Sequence, residues 1–162
     1  MRRVLEPIER VSEIVFGVLM AMTFIGAVNV AEAGRDDVRK ALIAALGCNL
    51  AWGLADAVMY VLAVVTERTR ARSEPVLRAG DFRGALGVFL LVALSTFPLV
   101  VPFMVFGDLR SAMLASRLVA LALLFAGGWM LARYAGGKPW LWGSSLAAVG
   151  AVLLAAIMAL GG

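Results

Sequence analysis

Apolar residues in this chain do not alternate with polar ones. They run together in five stretches of bilayer-spanning length, at residues 14–31, 41–65, 86–106, 114–131 and 140–160. Crossing a hydrocarbon core about 30 Å thick takes about 20 mainly apolar residues in a helix. Backbone groups in lipid must find their partners within the segment, and a helix does this. The pattern predicts an all-α fold: a polytopic bundle of five transmembrane helices forming one domain over residues 1–162. Pro98 and Pro102 fall inside the third stretch and predict a kink, because each frees the carbonyl four residues earlier, at Leu94 and Pro98.

Composition removes the soluble alternative. The chain is 62% hydrophobic and 16% charged, with a mean hydropathy of +0.93. A globule of this size buries only about 70% of its surface, too little to hide so much apolar area from water. Gly17, Gly26, Gly47, Gly53, Gly127, Gly128, Gly143 and Gly150 punctuate the stretches and are expected to let helix backbones approach closely. Trp129, Trp140 and Trp142 stand near stretch ends, where indole rings suit the membrane interface.

Charge sets the expected topology. Arg2, Arg3 and Arg10 precede the first stretch, Arg68, Arg70, Arg72, Arg78 and Arg83 lie between the second and third, and Arg133 and Lys138 lie between the fourth and fifth. The opposite side receives Arg35, Arg39 and Lys40 from the first loop and Arg110 and Arg117 from the third. Ten basic residues against five place the N-terminus in the cytoplasm and the C-terminus on the far side. The net charge of +4 follows from this arginine, which points to membrane lipid headgroups as its partner. Nucleic acid is not an expected partner, since no basic surface is interleaved with stacking aromatics. A cleavable signal peptide is not expected either, and a multi-pass location in a bacterial inner (plasma) membrane is. Cys48 is the one cysteine and there is no histidine, so an internal disulfide and the commonest proton shuttle are both excluded.

Within this apolar frame Asp56 stands out. A carboxylate at bilayer depth costs about 3 kcal/mol or more unless paired, hydrated or protonated. Residues three, four and seven apart share a helix face, so Asn49, Gly53, Asp56 and Tyr60 form one stripe, with Trp52 and Met59 beside it. On the first helix Glu13, Gly17 and Met20 share a face, with Thr23 a turn later and Asn29 and Glu32 towards the far end. If the two faces meet, Glu13 sits near the cytoplasmic mouth of a polar column. Carboxylate, amide and phenol oxygens suit hard or borderline divalent ions, and the thioethers of Met20 and Met59 add affinity for softer ones. The candidate pathway residues are Asp56, Glu13, Asn49 and Tyr60; the candidate metal ligands are Asp56, Met59, Met20 and Glu13. The competing reading has Asp56 and Asn49 bonding neighbouring helices or an oligomer partner. No phosphate loop, no serine or cysteine with a histidine base and no CxxC pair is present, so no catalysis and no resident cofactor are expected.

Three segments carry a family resemblance: Glu13-Ile-Val-Phe-Gly17, Leu94-Ser-Thr-Phe-Pro-Leu-Val-Val-Pro-Phe103, and Gly150 through Gly161 in the last stretch. In order along the chain they resemble the first, third and last helices of the vacuolar iron transporter family. The resemblance implies five spans with the N-terminus inside, and a homodimer with a pathway between the first and second helices of its two subunits. It also implies export of Fe²⁺ or Mn²⁺ from the cytoplasm, coupled to protons. The chain departs from the family in three places. Met20 stands where the family has its first-helix aspartate. Asp56 and Met59 replace a Ser-Met and Gly-Glu-Tyr pattern in the second helix. The 67–83 connection is short and basic, where well-known eukaryotic members insert an acidic metal-binding domain. These departures support a second expectation, a non-transporting structural or accessory membrane subunit derived from that family.

Overall fold

The computed structural model describes residues 6–28, 34–71 and 76–160. Among these residues all regular structure is helical: α1 (Pro7–Gly26), α2 (Arg35–Arg70), α3 (Ala79–Ser95), α4 (Phe97–Val105), α5 (Leu109–Ala135) and α6 (Pro139–Ala159). Four stretches are long and apolar enough to cross a membrane: Asp36–Arg70, Ala79–Val105 through α3 and α4 together, Leu109–Ala135 and Pro139–Ala159. The chain is therefore an all-helical protein with the composition of an integral multi-pass membrane protein.

Three helices start with the same device. An acid at the third helical position reaches back to the backbone N–H before the helix: Glu6 N–H donates to Glu9 Oε2 at 2.8 Å, Gly34 N–H to Asp37 Oδ2 at 3.0 Å, and Arg78 N–H to Asp81 Oδ2 at 2.7 Å. This satisfies an orphan donor and sets negative charge against the positive helix end. α5 begins the other way round, with Asp108 as its cap accepting from Ser111 N–H at 2.8 Å. It ends at Gly136, whose φ of +75° is a left-handed conformation that glycine adopts without strain. Gly137 N–H returns to the Ala132 carbonyl at 2.8 Å, and Pro139 opens α6 in its first turn, where no N–H is needed.

The helix limits differ from the apolar windows in instructive ways. α2 has 36 residues, a rise of about 54 Å, so its last turns carry Arg68 and Arg70 beyond the hydrocarbon. α5 begins at Leu109, so Arg110 and Arg117, expected in a loop, lie in the helix; the α4–α5 link is only residues 106–108. The helix of the first window stops at Gly26, and Asn29, Ala31 and Glu32 lie outside the described residues. The third window is two helices, because the hydrogen-bond ladder breaks at Thr96. Pro98 then sits in the first turn of α4, and Thr96 N–H turns to the Leu94 carbonyl that Pro98 cannot serve.

α1 carries Glu9, Arg10 and Glu13, yet it lies at the centre of the bundle and packs against every other helix. Its Val11, Val15, Val18, Ala21, Met22 and Ile25 form a buried cluster with Leu99 of α4 and Ala120 and Leu124 of α5. α2 packs on α1 and α3, and α6 on α1 and α5. Both leave large apolar side chains outward, among them Leu54, Val58, Leu62, Val149 and Val152. At one place α5 and α6 touch backbone to backbone: a methyl group on Gly128 would stand 2.5 Å from the Trp142 carbonyl oxygen and 2.9 Å from Gly143 Cα. Near the α5–α6 turn Trp129 and Trp140 pack edge to face at 4.9 Å between centroids, with Phe125 against both.

Candidate functional site

Antiparallel packing of α1 and α2 sets the polar stripe of α2 against the Glu13 face of α1. Reading from the α1 N-terminus, Glu13 meets Asp56, Phe16 meets Trp52, and Gly17 meets Asn49. From Glu13 to Phe16 is one turn forward on α1 and from Asp56 to Trp52 one turn backward on α2, while the Gly17 carbonyl reaches Asn49, two turns back from Asp56. Glycine permits the approach on the α3 side, where Gly53 lies against the Phe89 backbone, with its missing methyl 3.0 Å from the Phe89 carbonyl oxygen. The Tyr60 ring fills the space that a side chain at Gly84 of α3 would need.

The Glu13 and Asp56 carboxyls are within hydrogen-bonding reach of each other. Two carboxyl groups can share a hydrogen bond only with a proton between them. The second oxygen of Asp56 is buried with no hydrogen-bond partner. Among the described residues neither acid is ion-paired to a cation, and the charged groups acting on Glu13 are themselves acids, Asp56 and Glu9. The edge-to-face pair Phe16 and Trp52, 5.6 Å between centroids, lies one turn deeper and half exposed at the bundle surface. The pair is therefore a carboxyl–carboxyl site on two apolar helices, bounded on one side by aromatic rings.

Two turns from Asp56 along α2, Asn49 is 0% exposed. Its amino group donates to the Gly17 carbonyl of α1 at 3.0 Å and to the Thr96 hydroxyl at the α3–α4 break. Its own carbonyl oxygen has no partner. Thr96 was not singled out by the sequence pattern. The only signal for it was the proline two residues on, which marks a ladder break where a side-chain hydroxyl becomes available across the bundle. Within α4 the Leu99 carbonyl accepts from the Ser116 hydroxyl of α5 at 2.7 Å.

The structure thus brings Glu13, Asp56 and Asn49 onto one seam, with Tyr60 at its α3 edge. Met20 is half-buried on the same α1 face, but two turns past Glu13, about 10 Å along the axis, so its sulfur cannot reach the carboxyl pair. Met59 is 61% exposed. Three residues past Asp56 is a turn of 300°, which carries its side chain about 60° off the Asp56 direction and outward. Cys48 is a free, half-buried thiol. Among the described residues no three His, Cys, Asp or Glu side chains converge on one point.

On the cytoplasmic side of the expected topology, Arg68 near the α2 end donates to Asp81 Oδ1 at 2.8 Å, with Asp81 Oδ2 also 2.8 Å from the same nitrogen, and to the Val76 carbonyl. Asp81 therefore caps α3 and ties it to α2 at once. Asp108, outside the spans, is held below the usual carboxylate range by its hydrogen bonds to the Ser111 side chain and backbone N–H. Comparison with known protein families, characterised proteins and solved structures gives no match for this chain.

Proposed function

We propose that this protein is a membrane transporter that exports divalent transition-metal cations of the Fe²⁺ or Mn²⁺ class from the cytoplasm in exchange for protons. One observation carries the reading: two carboxyls from neighbouring apolar helices face each other without a cationic partner. Such a pair either holds a proton or, deprotonated, presents two negative charges to a divalent ion. Loading the metal releases the proton, and reprotonation expels the metal. Glu13, nearer the α1 N-terminus, receives the ion from the cytoplasm, and Asp56 passes it inward. Asn49 and Tyr60 line the seam, and Met20, deeper on the same face, favours transition metals over Ca²⁺ and Mg²⁺. Met59 faces outward and is left out of the monomer's path.

The central position of α1 supports its being a fifth span, since its 20 residues rise about 30 Å between helices of spanning length. With the arginine distribution this gives the N-terminus inside and the C-terminus on the far side. A second copy against the α1–α2 edge, where Phe16 and Trp52 are exposed, makes the homodimer and completes the ion's coordination. The test is Mn²⁺ uptake into proteoliposomes holding a metal-quenched dye. Asp56→Asn and Glu13→Gln are each expected to abolish saturable uptake, and uptake unchanged in Asp56→Asn refutes the reading.

A second reading, a non-transporting structural or accessory subunit, is favoured by the same site's having only two acids. Elemental analysis separates the two: purified protein carries Fe or Mn, lost in Asp56→Asn, only under the first.

A further inference from the structure

α5 carries an arginine inside its span. Its 27 residues rise about 40 Å, so about 5 Å at each end lies outside a hydrocarbon core about 30 Å thick. Arg117 follows Leu109, the first residue of α5, by two turns, about 12 Å along the axis, which sets its backbone below the edge of that core. A cation at such depth is costly unless something neutralises it. Among the described residues Arg117 makes no ion pair, and its Nε is buried without an acceptor. The residue is only half-buried: the nitrogen nearest the stem is enclosed, and the two Nη nitrogens at the tip are not. Leu121 and Leu124, further along the same face, lie over Gly150 of α6, so Arg117 stands one turn nearer the α5 start along the α5–α6 groove. Side chains on a helix lean towards its N-terminus, which carries the guanidinium back towards the headgroup level. Arg110, two turns earlier on that face, is exposed. Leu114 lies between the two arginines and is exposed as well. Asp108, the acid at this end of α5, is turned to the Ser111 N–H.

We propose that Arg117 and Arg110 form a site for the phosphodiester of an anionic glycerophospholipid, in the leaflet at the α5 N-terminus. Arg117 takes two phosphate oxygens with its Nη pair, since a planar guanidinium matches them in a fork. The missing counter-charge thus comes from the lipid. Leu114 and Leu118 of α5, both exposed, offer the acyl chain an apolar track below the phosphate. Arg110 selects the headgroup. It stands on the headgroup side of the phosphate, where choline or ethanolamine would set a second cation against it and glycerol sets none. Basic residues at helix edges hold anionic headgroups in this way. Inorganic phosphate shares the chemistry but has no chain to hold it at this depth. Assigning the site to the far leaflet rests on the N-in topology proposed above; the site itself does not, and it is separate from the carboxyl pair.

The test is lipid binding by the delipidated full chain in detergent, read by native mass spectrometry and by thermal unfolding. Phosphatidylglycerol, phosphatidylcholine and inorganic phosphate are added in turn at one ionic strength. One phosphatidylglycerol per chain is expected to bind about tenfold more tightly than phosphatidylcholine and to raise Tm, with inorganic phosphate doing neither. Arg117→Gln is expected to lose about tenfold in affinity for phosphatidylglycerol, and Arg117→Lys, which keeps the charge without the fork, to recover only part of it. Arg110→Gln is expected to keep phosphatidylglycerol bound and to lose most of the preference over phosphatidylcholine. Equal affinity for the two lipids, or a preference that Arg117→Gln retains, overturns the proposal. Inorganic phosphate that stabilises as well as phosphatidylglycerol overturns the lipid assignment. Glu32 follows α1 in the chain and lies outside the described residues. If Glu32→Gln lowers Tm as far as Arg117→Gln in the absence of lipid, and the double variant adds nothing, the guanidinium is paired within the chain and the proposal falls.

Discussion

Adding one methyl group tests the helix packing directly, because the bundle gives it opposite signs at two glycines. In Gly128→Ala the new Cβ stands 2.5 Å from the Trp142 carbonyl oxygen and 2.9 Å from Gly143 Cα. Ordinary contact begins near 3.4 Å, so α6 must move away from α5 by about 3.4 − 2.5 = 0.9 Å. Both obstructing atoms are backbone, so no rotamer change relieves the clash, and the shift loosens the Gly143–Phe125 contact on the same face. Overpacking of this kind costs about 1–3 kcal/mol, partly offset by about 0.8 kcal/mol from the better helix propensity of alanine. The net loss of about 0.2–2.2 kcal/mol lowers Tm by up to about 9 °C for a chain of this length. Gly47→Ala gains the same propensity with nothing within 4 Å of the new methyl, and is expected to raise Tm by about 2–3 °C. The assay is thermal unfolding of the two variants side by side in one detergent. A Gly128→Ala protein stabilised as much as Gly47→Ala refutes the close α5–α6 approach.

Other expectations follow from single contacts. Met59→Leu should leave Mn²⁺ uptake within twofold of the unaltered protein, since its side chain faces away from the carboxyl pair; loss of uptake would put a partner's site on that outer face. Asp81→Asn should destabilise the protein, read as earlier unfolding and as protease sensitivity at the α2–α3 link, and Arg68→Gln should reproduce most of that loss if the pair acts as one clamp. Ser116→Ala removes the hydroxyl from the buried Leu99 carbonyl and should cost about 1 kcal/mol; a neutral effect in unfolding scans argues against that bond. Asp108 is held below its ordinary value of 3.8 by Ser111, so its contribution is present above that value and is lost as pH falls through the lower folded one. Asp108→Asn should flatten that acid limb, and an unchanged limb would show that the cap is not formed.

The apolar runs by themselves determined that this is a helical membrane protein, and the 3.6-residue period placed Asn49, Gly53, Asp56 and Tyr60 on one face and Glu13, Gly17 and Met20 on another. Those conclusions are local: a side chain's direction on a helix follows from its number, and lipid leaves the backbone no other form. Which face meets which is not local. Only the packed bundle put α1 at the centre despite its charges, set Glu13 against Asp56 without an arginine between them, and turned Met59 outward. Thr96 became a partner of Asn49 because the break before Pro98 points its hydroxyl across the bundle, 47 residues away in the chain. Periodicity cannot choose among helix pairings, because in lipid every apolar face is equally content. Glycine contacts and a few buried polar atoms make that choice, and their partners exist only once the helices have docked.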